Sequence, residues 1–231
     1  MKTALVTGGS SGIGAATARA LAKDGWHVIV AARRKDRLQA VAEEIGGEAI
    51  ALDVTDEDSV ARLVEQIDSL DLLVNNAGGA KGLDSVEEAN IDDWKWMYET
   101  NVRGTVRVTK ALLPKLANGA QIVNVGSIAG ITPYVGGAGY NAAKFGVAAL
   151  TCVLRLETLD RPLRVCEINP GRVKTGFSLI RFKGDKERAD AVYAGHQNIV
   201  AEDIAEAIRW VASLPAHVSI DRLVIKPADQ G

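Results

Sequence analysis

The sequence offers little to a metal, a membrane or a nucleic acid. Its three histidines, His27, His196 and His217, are scattered without metal-ligand spacing and read as structural. The two cysteines, Cys152 and Cys166, lie in apolar segments, one helical and one strand-like. Both read as buried free thiols, at home in a reducing cytoplasm. No apolar run approaches the ~20 residues of a membrane span. A formal net charge of −2 gives no basic surface for nucleic acid. Linkers, low-complexity tracts and internal repeats are missing too. The chain enters a strand almost at once, so no signal peptide is expected and the expected location is cytoplasmic.

What is present suits one large core. The 231 residues are 47% hydrophobic, enough for a single domain spanning 1–231. Apolar runs read as strands at Thr3–Thr7, His27–Ala32, Glu48–Leu52, Leu72–Asn75, Gln121–Val125, Leu163–Ile168 and Leu223–Lys226. Amphipathic runs between them read as helices at Gly12–Asp24, Lys35–Ile45, Glu57–Ser69, Asp92–Leu116, Gly139–Leu159 and Ala201–Ser213. Strands that alternate with helices predict an α/β fold, a doubly wound parallel sheet of the Rossmann-like type.

The first strand runs into Thr7-Gly-Gly-Ser-Ser-Gly-Ile-Gly14 and then a helix. Glycines there let backbone approach a pyrophosphate, and the helix start offers free N–H groups. Gly8, Gly12 and Gly14 depart from the usual G-x-G-x-x-G spacing, yet their place between strand and helix points to a dinucleotide, with Ser10, Ser11 and Ile13 in the same turn. The second strand ends Ala31-Ala32-Arg33-Arg34. An acid at this place would bind ribose hydroxyls; two arginines suit a 2′-phosphate instead. A cation at a helix start opposes the dipole, so Arg33 and Arg34 have little structural reason to be there. After the third strand, Asp53 and Val54 are candidates for the adenine, with Asp53 or Asp56 as the helix cap. Asn75-Asn76-Ala77-Gly78 ends the fourth strand, where small residues let a cofactor lie close. Asn101 interrupts a long helix, as a bend, a water site or a buried amide.

Tyr140 and Lys144 stand four apart, one turn apart on a single helix face. A nearby cation lowers a tyrosine pKa from its ordinary ~10, which would fit the pair for proton transfer near neutrality. Ser127 follows a strand and can donate into the crevice at the sheet's carboxyl edge.

Together Thr7-Gly-x-x-x-Gly-x-Gly14, Asn75-Asn-Ala-Gly78, Asn101, Ser127, Tyr140-x-x-x-Lys144 and Asn169-Pro-Gly171 resemble the short-chain dehydrogenase/reductase family. The resemblance implies a cytoplasmic oxidoreductase using NADP(H). It casts Tyr140 as acid or base and Ser127 as holder of the substrate oxygen. Lys144 would bind the nicotinamide ribose, and Asn101 would fix a relay water. Pro170, Gly171, Val173 and Thr175 look like the segment that holds the nicotinamide. Many NADP-using members carry a basic residue where this chain has Ser11, which leaves phosphate recognition to Arg33 and Arg34.

The C-terminal part, including Arg181-Phe-Lys-Gly-Asp185, looks like the branch acting on 3-hydroxy acids and serine-like substrates. A lid is expected around 172–195, with Arg172, Lys174, Arg181 and Lys183 as its cations and Arg181 as the grip on a carboxylate. The family also implies a homotetramer or homodimer, with a small alcohol or carbonyl as the partner molecule. A reductase of uncharged ketones or aldehydes, or a non-catalytic NADP-binding regulator, would leave the same cofactor motifs.

Overall fold

The computed structural model of the chain describes residues 1–230. Strand and helix alternate from the start: β1 (Thr3–Thr7), α1 (Gly12–Lys23), β2 (His27–Ala32), α2 (Lys35–Ile45), β3 (Glu48–Ala51), α3 (Glu57–Glu65) and β4 (Leu70–Asn75). The second half runs α4 (Ile91–Tyr98), a π-helical turn (Glu99–Arg103), α5 (Gly104–Leu112), β5 (Leu116–Val125), α6 (Ala138–Glu157) and β6 (Arg164–Pro170). It closes with β7 (Val173–Lys174), α7 (Phe177–Arg181), α8 (Lys186–Ala191), β8 (Ile199–Val200), α9 (Ala201–Ser213) and β9 (Arg222–Ile225). Seven strands form one parallel sheet in the order β3-β2-β1-β4-β5-β6-β9, and β7 pairs with β8 apart from it. The expected doubly wound sheet is therefore the one observed. Its order reverses beside β1, which places a ligand crevice at the carboxyl ends of β1 and β4.

Alternation along the strands divides the core. Val6, Val30, Val74, Val123 and Ile168 pack on Leu21 of α1 and Ile204 and Ile208 of α9. Leu5, Ile29, Leu73, Ile122 and Val165 face the other way, toward Leu63, Leu112 and Leu154. A polar file crosses this second face. Asn75 Nδ2 donates to Thr109 Oγ1 and to Asn124 Oδ1, each at 2.9 Å, and Asn124 Nδ2 donates to Thr151 Oγ1 at 2.9 Å. Every link is buried and satisfied, so the file ties α5 to α6 through β4 and β5.

The structure corrects several expectations. The helix expected over Asp92–Leu116 is broken at Asn101 by the π turn, which admits an extra residue. The helix expected to reach Ser69 stops at Glu65, because β4 begins at Leu70. Asp56, not Asp53, caps α3 by accepting from Asp58 N. Cys152 is exposed on α6, against the expectation of burial; Cys166 on β6 is buried.

Candidate active site

The crevice encloses about 990 Å³. Its floor is the turn after β1. Gly8 and Gly12 have φ of 67° and 53°, where a side chain is strained. A Cβ on Gly14 would meet the Gly8 carbonyl at 2.5 Å, so helix and turn touch backbone to backbone. No side chain caps α1, which leaves its first amides free for an anion. Thr7 Oγ1 receives the amides of both Asn76 and Ala77 at 3.0 Å, locking the end of β4 to the end of β1.

A cationic corner lies beside the turn. Arg34 donates to Ser11 Oγ at 2.5 Å and to Ser10 Oγ at 3.0 Å. Burial, then the charges of Arg37 and Arg33, pull its pKa below the usual value. Three like charges thus crowd beside the turn. Asp53 sits opposite and is held by Thr55, whose N and Oγ1 donate to Oδ1 at 2.9 and 2.7 Å. Burial works to raise its pKa, but the Thr55 bonds and the Arg33 charge outweigh burial and keep it low.

The catalytic candidates meet deeper in the crevice. Ser127 N donates to Asn169 Oδ1 at 2.9 Å, which fixes the serine at the end of β5. Tyr140 is buried, with its ring 5.5 Å from that of Phe177. Burial drives its pKa well above the ordinary value, and a hydrogen bond from Ser127 and the Arg181 charge oppose this. Lys144 Nζ donates to Val125 O at 2.9 Å and stands 5.8 Å from the Tyr140 ring centre. Burial lowers the Lys144 pKa to about 8, against the pull of Glu167. The expected depression of Tyr140 by Lys144 is thus not what this geometry gives. The ammonium is turned to a carbonyl, and desolvation of the phenol dominates. Asn101 is buried behind the site: its Nδ2 donates to Gly79 O and Met97 O at 2.9 and 2.7 Å, and its Oδ1 accepts from Gly79 N at 3.2 Å.

Ser10, Ser11, Ile13, Val54, Gly78, Pro170, Gly171, Val173 and Thr175 all line the same crevice, while Gly14 and Asn101 support it from behind. Of the lid cations, Arg172 is bound to Asp229 at 2.6 Å and Lys183 to Asp93 at 2.7 Å. Lys174 is exposed. Arg181 faces the crevice with no carboxylate in ion-pair reach among the described residues; its Nη2 donates to Tyr134 OH at 2.6 Å and its Nε to Gly82 O at 3.0 Å. Its guanidinium also lies 5.6 Å from the Tyr140 ring centre. Sequence reasoning missed Tyr134, Phe177, Tyr193 and Gln230, which line the crevice as well. Tyr134 had a signal, an aromatic six residues before Tyr140 in a glycine-rich loop.

A profile of the short chain dehydrogenase family matches residues 2–183. The chain belongs to the short-chain dehydrogenase family. An uncharacterized oxidoreductase of Mycobacterium tuberculosis is 56% identical over 99% of this chain and 92% of its own length. A sulfoacetaldehyde reductase of Chromohalobacter salexigens is 43% identical, covering 97% of this chain and 93% of its own. Among solved structures, the closed form of a serine dehydrogenase complexed with NADP+ has a TM-score of 0.96 and 37% identity, over 99% of this chain and 96% of its own. This short-chain dehydrogenase is accordingly an oxidoreductase. Among the described residues, no helix is long and apolar enough to cross a membrane.

Proposed function

We propose that this short-chain dehydrogenase uses NADP(H) to interconvert a small hydroxy acid, with the hydroxyl on the third carbon as in serine, and the corresponding carbonyl compound. The carrying observation is Arg181, a cation facing the crevice beside Tyr140 without an acid partner among the described residues. Two similar proteins bear names that fit an anionic substrate: serine carries a carboxylate and sulfoacetaldehyde a sulfonate. Arginine's planar fork suits either group.

The residues present fit the dinucleotide. The side-chain-free approach at Gly8 and Gly14 and the open amides of α1 suit a pyrophosphate. Arg33 and Arg34 would take the 2′-phosphate, and Asp53 and Val54 the adenine. Asn76, Ala77, Gly78, Pro170, Gly171, Val173 and Thr175 would border the nicotinamide end. When bound, NADP(H) supplies or takes up the hydride.

The chain's own groups do the rest. Tyr140 OH gives a proton to the carbonyl oxygen in reduction, and its phenolate takes one in oxidation. Ser127 Oγ donates to the same oxygen, a bond that strengthens as negative charge grows there. Lys144 holds the ribose hydroxyls and supplies positive charge. Asn101 fixes the helix turn through which a relay water reaches Lys144. The segment 172–195, with α7 and α8, closes over the substrate and excludes water.

Exposed Val106 of α5 and Phe145, Val153 and Leu156 of α6 form a face that pairs two copies, in a dimer or tetramer. The function is tested by following NADP+ reduction with 3-hydroxy acids, serine and their methyl esters. Turnover of the acids well above the esters is expected; turnover of the esters alone would overturn the substrate class.

A further inference from the structure

A buried carboxylate lies beneath the site. Along β6, Val165, Glu167 and Asn169 point to one face of the sheet. Val165 joins the core cluster that holds Leu154 of α6. The Cα of Glu167 pairs with that of Asn124, whose amide reaches Thr151 of α6. Glu167 is therefore on the α6 side, and it is only 1% exposed. Its Oε2 accepts from Arg222 Nε at 2.8 Å. Its Oε1 is buried and has no protein partner among the described residues, and neither has the nearby Asn169 Nδ2.

The unpartnered oxygen faces the catalytic end of β5. A Cβ built on Gly126 would lie 2.8 Å from Glu167 Oε1 and 2.4 Å from Asn169 Oδ1. Gly126 separates Val125, whose carbonyl holds Lys144 Nζ, from Ser127, whose amide is held by Asn169. Only glycine leaves room for the carboxylate there. We propose that Glu167 is a positioning residue for Lys144: from β6 it braces the end of β5, where Val125 O holds the Lys144 ammonium, and it places a fixed negative charge beside that end. This rests on the role given to Lys144 above.

The surrounding charges are few. Arg222 and Asp221 come from β9 and its approach; Lys144 and Arg155 come from α6, and Arg155 is paired with Asp221 at 3.1 Å. Arg222 neutralises only one side of Glu167. Among the described residues, Glu167 is the carboxylate whose charge opposes the burial that lowers the Lys144 pKa. Burying a lone ammonium strongly favours its neutral form. A fixed negative charge on the same side of the sheet offsets that bias.

The test measures NADPH affinity against pH by cofactor fluorescence, without any substrate. In the wild type, affinity is expected to fall as pH rises and Lys144 loses its proton, its pKa being lowered by burial to about 8. Lys144→Met removes that transition. Glu167→Gln keeps the shape and an acceptor for Arg222 but deletes the charge, so the midpoint moves down by about half a pH unit or more. If Glu167→Gln does not fold, Glu167→Gln/Arg222→Gln leaves no buried charge unpaired, and a smaller downward shift is expected. A folded variant with an unmoved midpoint overturns the proposal, as does failure of both variants to fold, which makes Glu167 a folding residue. A wild type with no Lys144-dependent transition instead removes the premise about Lys144, a distinct result.

Discussion

Arg34 lies across the glycine turn, with Nη2 2.5 Å from the Ser11 hydroxyl and 3.0 Å from that of Ser10. Ser10 and Ser11 orient this cation, which comes from the turn between β2 and α2. A charge-assisted hydrogen bond contributes roughly 1.5–3 kcal/mol. Arg34→Ala should therefore weaken NADPH about 10–150-fold and leave NADH nearly unchanged, as read by cofactor fluorescence. Arg33→Ala should act in the same direction. Equal losses for both cofactors would show that neither arginine reads the 2′-phosphate.

Tyr140→Phe should cut turnover about 10²–10⁴-fold and keep NADPH affinity, since the ring still packs on Phe177. Steady-state rates with cofactor titration check both halves. A loss below about tenfold would remove Tyr140 from the proton step.

Arg181→Ala should raise KM for a 3-hydroxy acid far more than for its methyl ester, because the ester has no charge to grip. Tyr134→Phe, which takes away the partner of Arg181 Nη2 at 2.6 Å, should give a weaker version of the same split. Comparable losses on acid and ester would leave Arg181 as a lid residue.

Lys144 carries a stability cost with a defined sign. Burial lowers its folded pKa to about 8, below the ordinary 10.5, so the unfolded chain binds the proton more tightly. Stability from this group is complete above about pH 10.5 and is lost as pH falls through about 8. The cost below pH 8 is of order 3 kcal/mol. Lys144→Met escapes it, though Val125 O loses its donor. The Tm of the variant minus that of the wild type should be most favourable below pH 8 and shrink as pH rises to about 10. A difference that is flat with pH would contradict the buried-ammonium account.

Val153→Glu on α6 should reduce the particle mass seen by light scattering to that of one chain, because Val153 is 48% exposed on the proposed pairing face. A wild type that is already a single chain would refute the pairing.

Much of this was legible in the sequence because local chemistry demands it. Glycines at the end of β1, small residues after β4 and the one-turn spacing of Tyr140 and Lys144 each follow from close backbone approach or helix period. What was not legible depends on distant partners. The lid sequence reads as four unpaired cations, yet Asp229 and Asp93 reach Arg172 and Lys183 from far along the chain. Among the described residues, the fold leaves Arg181 facing the crevice without an acid. The role of the two serines beside Arg34 was hidden for the same reason. The Tyr140 expectation failed because spacing reports which residues share a helix face, whereas the direction of the Lys144 ammonium depends on the Val125 carbonyl supplied by β5.

The file from Thr109 through Asn75 and Asn124 to Thr151 makes two surface helices part of the machinery beneath the cofactor. Asn75 adjoins Asn76, and Asn124 adjoins the carbonyl that holds Lys144. Amide protons along β4, β5, α5 and α6 should then exchange with solvent together, as one slow cooperative block. Contact between copies through α5 and α6 would slow that block as a whole, so assembly would stiffen each crevice without supplying a single residue to it.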